Sequence, residues 1–264
     1  MLRRRAMALS LLLAIASAEA ALAGAWTRAE GEGLLIFSSG RRAAPVSALA
    51  SALPEDESNT TQILVEYGLF DEFTLGATLF ADLAISDFGS GALNAGVFGR
   101  YRIWQGAQSV FSVQLGYAHP LEEFVSEDFG ATNFDSGPEI EMRLLYGHGI
   151  WGDWGSAFVS AEAGYDVFLE GIEDDIRADV TFGYEPWRCC LFLMSAFATV
   201  PTGEEDPSFK LAPSFAYTLW PEVERNGKKP VGPIRPRTIQ FGINYDLLNS
   251  GDGLGVQVSI WKRF

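Results

Sequence analysis

The sequence predicts an all-β fold: a closed, antiparallel, up-and-down transmembrane β-barrel of about 12 strands. Three observations predict it. Apolar and polar residues alternate with period two along most of the chain. The alternating segments run to about nine residues or more, the length a tilted strand needs to cross a bilayer, whereas soluble strands average about five or six. Tyr and Trp gather near segment ends, among them Tyr67, Tyr101, Trp104, Tyr146, Trp187, Trp220, Tyr245 and Trp261. Amphipathic rings belong there, at the two faces of a membrane.

Residues 1–23 read as a secretory signal peptide. Arg3, Arg4 and Arg5 form a positive start, Met7 to Ala18 is apolar, and Ala21-Leu22-Ala23 gives the small-x-small pattern of a cleavage site. The apolar stretch falls short of the roughly 20 residues that cross about 30 Å of hydrocarbon as a helix. Residues 24–264 then form a single barrel domain. Removing 1–23 takes away three arginines and one glutamate and leaves 16 basic against 33 acidic residues, a net charge of −17. So acidic a chain lacks the basic surface that nucleic acid requires.

Twelve segments are expected: 30–39, 62–70, 72–83, 92–104, 109–119, 137–147, 156–168, 175–185, 188–199, 209–220, 237–247 and 253–264. In 237–247, Ile239, Phe241, Ile243 and Tyr245 oppose Thr238, Gln240, Gly242 and Asn244. In 175–185, Ile176, Ala178, Val180 and Phe182 oppose Arg177, Asp179, Thr181 and Gly183. Connections alternate in length, with tight turns near 71, 106 and 186, a moderate turn over 147–155, and long loops at 40–61 and 120–136. Short turns on one side and long loops on the other are the outer-membrane arrangement. The Pro-rich segment 221–236 breaks the pattern, as an unusual turn or a slip in the strand count. Whether 40–61 is an outward loop or an inward plug stays open.

Polar faces supply the lumen-lining candidates: Glu66, Arg100, Arg102, Glu139, Glu141, Arg143, Glu162, Asp166, Arg177, Asp179 and Asp246, together with Asp82, Glu185 and Lys210. Acids outnumber bases in this set, which implies a mild cation preference if the lumen is open and a ladder of ion pairs if it is closed. Acids at Asp56, Glu57, Glu122, Glu123, Glu127 and Asp128 read as solvated loop charge or as contacts to cation-bridged lipopolysaccharide.

Enzyme chemistry has little support. The two histidines, His119 and His148, carry no catalytic motif, and no phosphate-binding glycine loop or nucleophile elbow occurs. No metal site and no cofactor is expected. The adjacent Cys189 and Cys190 could close only a strained ring and read as packing residues on a strand.

The chain ends Gly253-Leu254-Gly255-Val256-Gln257-Val258-Ser259-Ile260-Trp261-Lys262-Arg263-Phe264. This resembles the C-terminal signature of bacterial outer-membrane proteins, which implies that Val256, Val258, Ile260 and Phe264 address the barrel-assembly machinery. Lys262 stands where that signature usually has an apolar or aromatic residue. The run Glu66-Tyr67-Gly68-Leu69-Phe70-Asp71-Glu72-Phe73-Thr74-Leu75-Gly76 resembles MetA-type outer-membrane transporters of phenol-degradation pathways. Gly24-Ala25-Trp26-Thr27 with Gly31-Glu32-Gly33 is similar to the mature start of related barrels. The expectation is a non-enzymatic barrel in the outer membrane of a Gram-negative bacterium, meeting lipid and lipopolysaccharide and passing a small solute as a passive channel. The alternatives are a plugged structural or secretion-accessory barrel and a lipid-active enzyme.

Overall fold

A computed structural model describes residues 24–43, 58–84, 91–124, 137–169, 173–187, 189–203, 206–219, 237–248 and 254–264. They form twelve strands: β1 (Gly33–Ala43), β2 (Ser58–Phe70), β3 (Phe73–Ala84), β4 (Gly91–Gln105), β5 (Ser109–Phe124), β6 (Glu139–Gly152), β7 (Gly155–Phe168), β8 (Asp175–Trp187), β9 (Cys190–Pro201), β10 (Ser208–Leu219), β11 (Arg237–Asp246) and β12 (Leu254–Arg263). Each strand pairs antiparallel with its sequence neighbours, and β1 pairs with β12 from Leu34↔Arg263 to Ala43↔Leu254, which closes the barrel. Closure leaves no strand edge with unpaired backbone groups, as hydrocarbon demands.

The predicted segments and the observed strands coincide in number and order, and the strand count does not slip. The 220–236 connection joins β10 to β11 at the end that carries the tight turns, and its own conformation lies outside the described residues. Two expected loops give way to strand. β5 continues through His119-Pro120 to Phe124, so the 120–136 loop starts later, and β1 and β2 extend into both ends of 40–61. The moderate turn over 147–155 is also strand, with only Asp153 and Trp154 left as the β6–β7 turn. Gly147, Gly149 and Gly152 suggested a turn, but a glycine in a strand also marks a close approach. At Gly147 a Cβ would collide with the ring of Trp26.

One stretch of wall is incomplete. The β10–β11 ladder runs Leu211↔Tyr245 and then Ser214↔Gly242, skipping Ala212 and Pro213. Proline has no N–H to donate to the ladder.

The outer surface is a continuous apolar belt. Leu75, Val97, Leu115, Leu144, Val180, Phe241 and Val256 all point outward and are about half exposed. Leaving such side chains in water forgoes roughly 1.5–3 kcal/mol each, so this surface is built for lipid. Among the described residues no helix is long and apolar enough to cross a membrane; the crossing is made by strands. Tyr67, Tyr101, Trp104, Trp187 and Tyr245 lie outward near strand ends, whereas Tyr146 points outward from the middle of β6, which runs past the expected end at 147. Trp261 does not. It pairs across from the inward Thr238 and packs against Phe158, Leu191 and Ala216 in the interior. Trp220 lies outside the described residues.

Candidate functional site

The interior is the candidate site, and its first feature is not a strand. Residues 24–32, ahead of β1, run across the lumen at the tight-turn end. Ala25 is fully buried among Val110 and Leu145. The Trp26 ring sits over Gly147 and meets Phe158 edge-on at 6.0 Å. Gly24 reaches Ser160 and Glu162 on β7.

A buried backbone segment needs partners for its polar groups, and the barrel wall supplies them. Ser112 Oγ donates to the Ala25 carbonyl at 2.5 Å, and Arg100 Nη1 donates to the Trp26 carbonyl at 3.2 Å. The Arg28 N–H donates to Thr74 Oγ1 at 2.7 Å. At the rim, Thr27 donates to the Asp71 carbonyl at 2.6 Å and the Glu30 N–H donates to the Asp71 carboxylate at 2.9 Å.

Charge anchors the same segment. Glu66 on β2 is 1% exposed and lies between two guanidiniums, Arg28 at 2.7 Å and Arg100 at 3.1 Å. Arg100 also donates to Gln114 Oε1 at 2.9 Å and 3.0 Å, and Gln114 passes the chain on to Glu141 at 2.7 Å. Arg143 then meets Glu141 at 2.9 Å, Asp179 at 3.2 Å and Glu162 at 3.3 Å. One polar ladder thus runs from the N-terminal segment through β2, β4, β5 and β6 to β7 and β8. Further along β7 and β8, Asp166 is fully buried and pairs with Arg177 at 2.5 Å, with Asp175 at 3.8 Å on the other side of that guanidinium.

The rest of the wall is mostly neutral. Ser38 and Ser259 bond at 2.8 Å, Thr218 and Thr238 at 2.9 Å, and Gln240 donates to Ser214 at 2.7 Å. Phe197 turns inward beside Lys210.

Of the sequence-derived lumen candidates, Glu66, Arg100, Glu141, Arg143, Glu162 and Asp179 belong to the ladder, and Asp166 and Arg177 form the second cluster. Glu139 faces inward at the end of β6, level with Ala118. Asp246 is buried directly opposite Lys210. Arg102 sits at the rim, 3.6 Å from Glu72. Glu185 accepts from Ser156 at 3.3 Å. Asp82 pairs with Thr60 in the β2–β3 ladder. Val256, Val258, Ile260 and Phe264 form the outer face of β12. The loop acids Asp56, Glu57, Glu127 and Asp128 lie outside the described residues. Trp26, Arg28, Gln114 and Asp175 were not singled out from the sequence. Trp26 and Arg28 precede any periodic segment, and their one signal is a large ring and a cation placed before a first strand.

The histidines face outward. His148 Nδ1 lies 2.7 Å from Ser109 Oγ, and His119 stacks on Tyr117 at 6.2 Å. Among the described residues no carboxylate is bonded to either ring. Among the described residues no group of three or more potential metal ligands occurs.

No family model and no curated protein matches the chain by sequence, so the MetA-type resemblance rests on the residues quoted for it. Similarity to solved structures is extensive. The COG4313 outer membrane channel from Pseudomonas putida F1 aligns over 93% of this chain and 100% of its own, with a TM-score of 0.60 and 9% identity. The translocator domain of the autotransporter NalP from Neisseria meningitidis aligns over 99% of this chain and 95% of its own, at 0.55 and 9%. The NanC porin aligns over 88% of this chain and 98% of its own, at 0.52 and 10%. Identities this low make the likeness one of fold: this chain has the architecture of outer-membrane barrels.

Proposed function

We propose that the protein is a passive outer-membrane channel for a small solute, with a preference for cations and a periplasmic mouth narrowed by residues 24–32. The supporting observation is a polar, carboxylate-rich inner wall inside an apolar outer belt. Along β6, β7 and β8 the inward groups are Glu139, Glu141, Glu162, Asp166, Asp175 and Asp179 against Arg143 and Arg177. Excess charge of one sign on a narrow wall sets ion preference, and the low dielectric of the surrounding lipid strengthens it.

In this reading residues 1–23 direct export and are removed. The tight-turn end faces the periplasm, and the long connections meet lipopolysaccharide. The outer face of β12, ending in Phe264, is offered to the assembly machinery. The fold shared with the Pseudomonas putida channel and the NanC porin supports a pore, as does the transporter resemblance around Glu66 to Gly76.

Reconstitution in planar bilayers under a salt gradient tests the reading. A measurable conductance with a reversal potential on the cation side is expected. Protein that shifts on a heat-modifiable gel, and so is folded, yet passes neither ions nor small sugars into liposomes would sink it.

A further inference from the structure

The expectation that Cys189 and Cys190 both lie on a strand holds for Cys190 alone. Cys189 lies in the β8–β9 turn and Cys190 opens β9; both are partly exposed, and their sulfurs are 3.0 Å apart as free thiols. The turn that carries them is pinned. The Thr218 N–H donates to the Cys189 carbonyl at 2.8 Å, Cys190 is registered between Trp187 and Tyr217, and the ladder shifts between Tyr184 and Trp187. Those two rings belong to the interfacial girdle and are well exposed. The sulfurs are therefore side by side at the rim, where β8 meets β9.

We propose that this rim carries a two-sulfur site for a soft, thiophilic ion, of which trivalent arsenic is the type. Soft thiolate ligands select soft ions over the hard cations that carboxylates attract. The pair is better suited to chelation than to self-oxidation. Adjacent residues put their Cα atoms about 3.8 Å apart, below the roughly 4.4–6.8 Å that a disulfide spans without strain. A third atom bridging the two sulfurs relieves that constraint. With an aryl arsenoxide the step balances without an oxidant. Two As–S bonds form and two S–H bonds break, the arsenic oxygen leaves as water with both protons, and arsenic stays trivalent.

The test uses the full-length folded barrel in detergent and phenylarsine oxide as the probe. Intact-mass analysis should show one adduct per chain that blocks both thiols to maleimide and survives washing with a monothiol. Cys189→Ser and Cys190→Ser should each lose that retention by at least tenfold while keeping heat-modifiable mobility, because one sulfur holds arsenic only in exchange. Equal retention in either single variant, absence of an adduct, or a purified barrel without titratable thiols before any reductant is added overturns the proposal.

Discussion

Two walls of one lumen are built on different principles. The wall made by β2 and by β4 to β8 is charged, and its guanidiniums and carboxylates are linked from Arg28 to Asp179. The wall made by β9 to β12 with β1 and β3 carries mostly hydroxyls, amides and small residues, joined in isolated pairs such as Ser38 with Ser259. The N-terminal segment draws most of its hydrogen bonds from the charged half: Ser112, Arg100 and Glu66 hold it there, with Thr74 of β3 the neighbour on the other side. Ion pairs in a desolvated interior are strong only when complete, and losing one member leaves its partner uncompensated. Hydroxyl pairs tolerate loss. In the proposed channel the charged wall would set ion preference, while the largely neutral wall fills space.

The largest effect should come from Glu66→Gln. It removes the carboxylate that Arg28 and Arg100 share, and removal of one partner from a buried pair costs about 3–5 kcal/mol. Urea titration followed by gel mobility should show that loss, and single-channel recording should show a higher conductance as residues 24–32 loosen. A cost below about 1 kcal/mol, with conductance unchanged, would mean that the clamp does not hold the segment.

Next in size is Arg143→Gln. It deletes the guanidinium that meets Glu141, Glu162 and Asp179. The reversal potential should move further toward the cation limit, and the shift should shrink at high salt, where screening shortens to about 3 Å at 1 M. Movement in the anion direction would place the selectivity elsewhere.

Smallest is Ser259→Ala on the neutral wall. Loss of the Ser38 contact should cost about 1 kcal/mol and leave the reversal potential where it was. A change in ion preference from this substitution would erase the distinction between the walls.

Most of the barrel was legible because period two repeats for as long as a strand lasts, and the inward parity of Glu141, Arg143, Arg177 and Asp179 follows from it. What escaped lacks that periodicity. Residues 24–32 satisfy their backbone through the wall and not through a neighbour in a ladder, so no pattern announces them. Gly147 and Gly149 were misread because a glycine that admits a ring looks, in sequence, like a glycine that turns a chain. Trp261 was placed in the girdle by its position near the C-terminus, whereas parity along β12 turns it inward with Ser259. Cys189 and Cys190 gave no warning that the turn would hold them in contact.

The two ends of the described chain meet. The Gly33 N–H donates to the Phe264 carbonyl at 2.8 Å, the Phe264 N–H donates to the Gly33 carbonyl at 2.9 Å, and a side chain at Gly33 would strike the Phe264 ring. Gly33 is also where the lumen segment becomes wall. This contact, between residues far apart in sequence, thus sits where the segment that crosses the lumen meets the wall, and contacts of such separation are slow to form. A chain that stops short of its final residues can neither seal its last seam nor seat its own entrance.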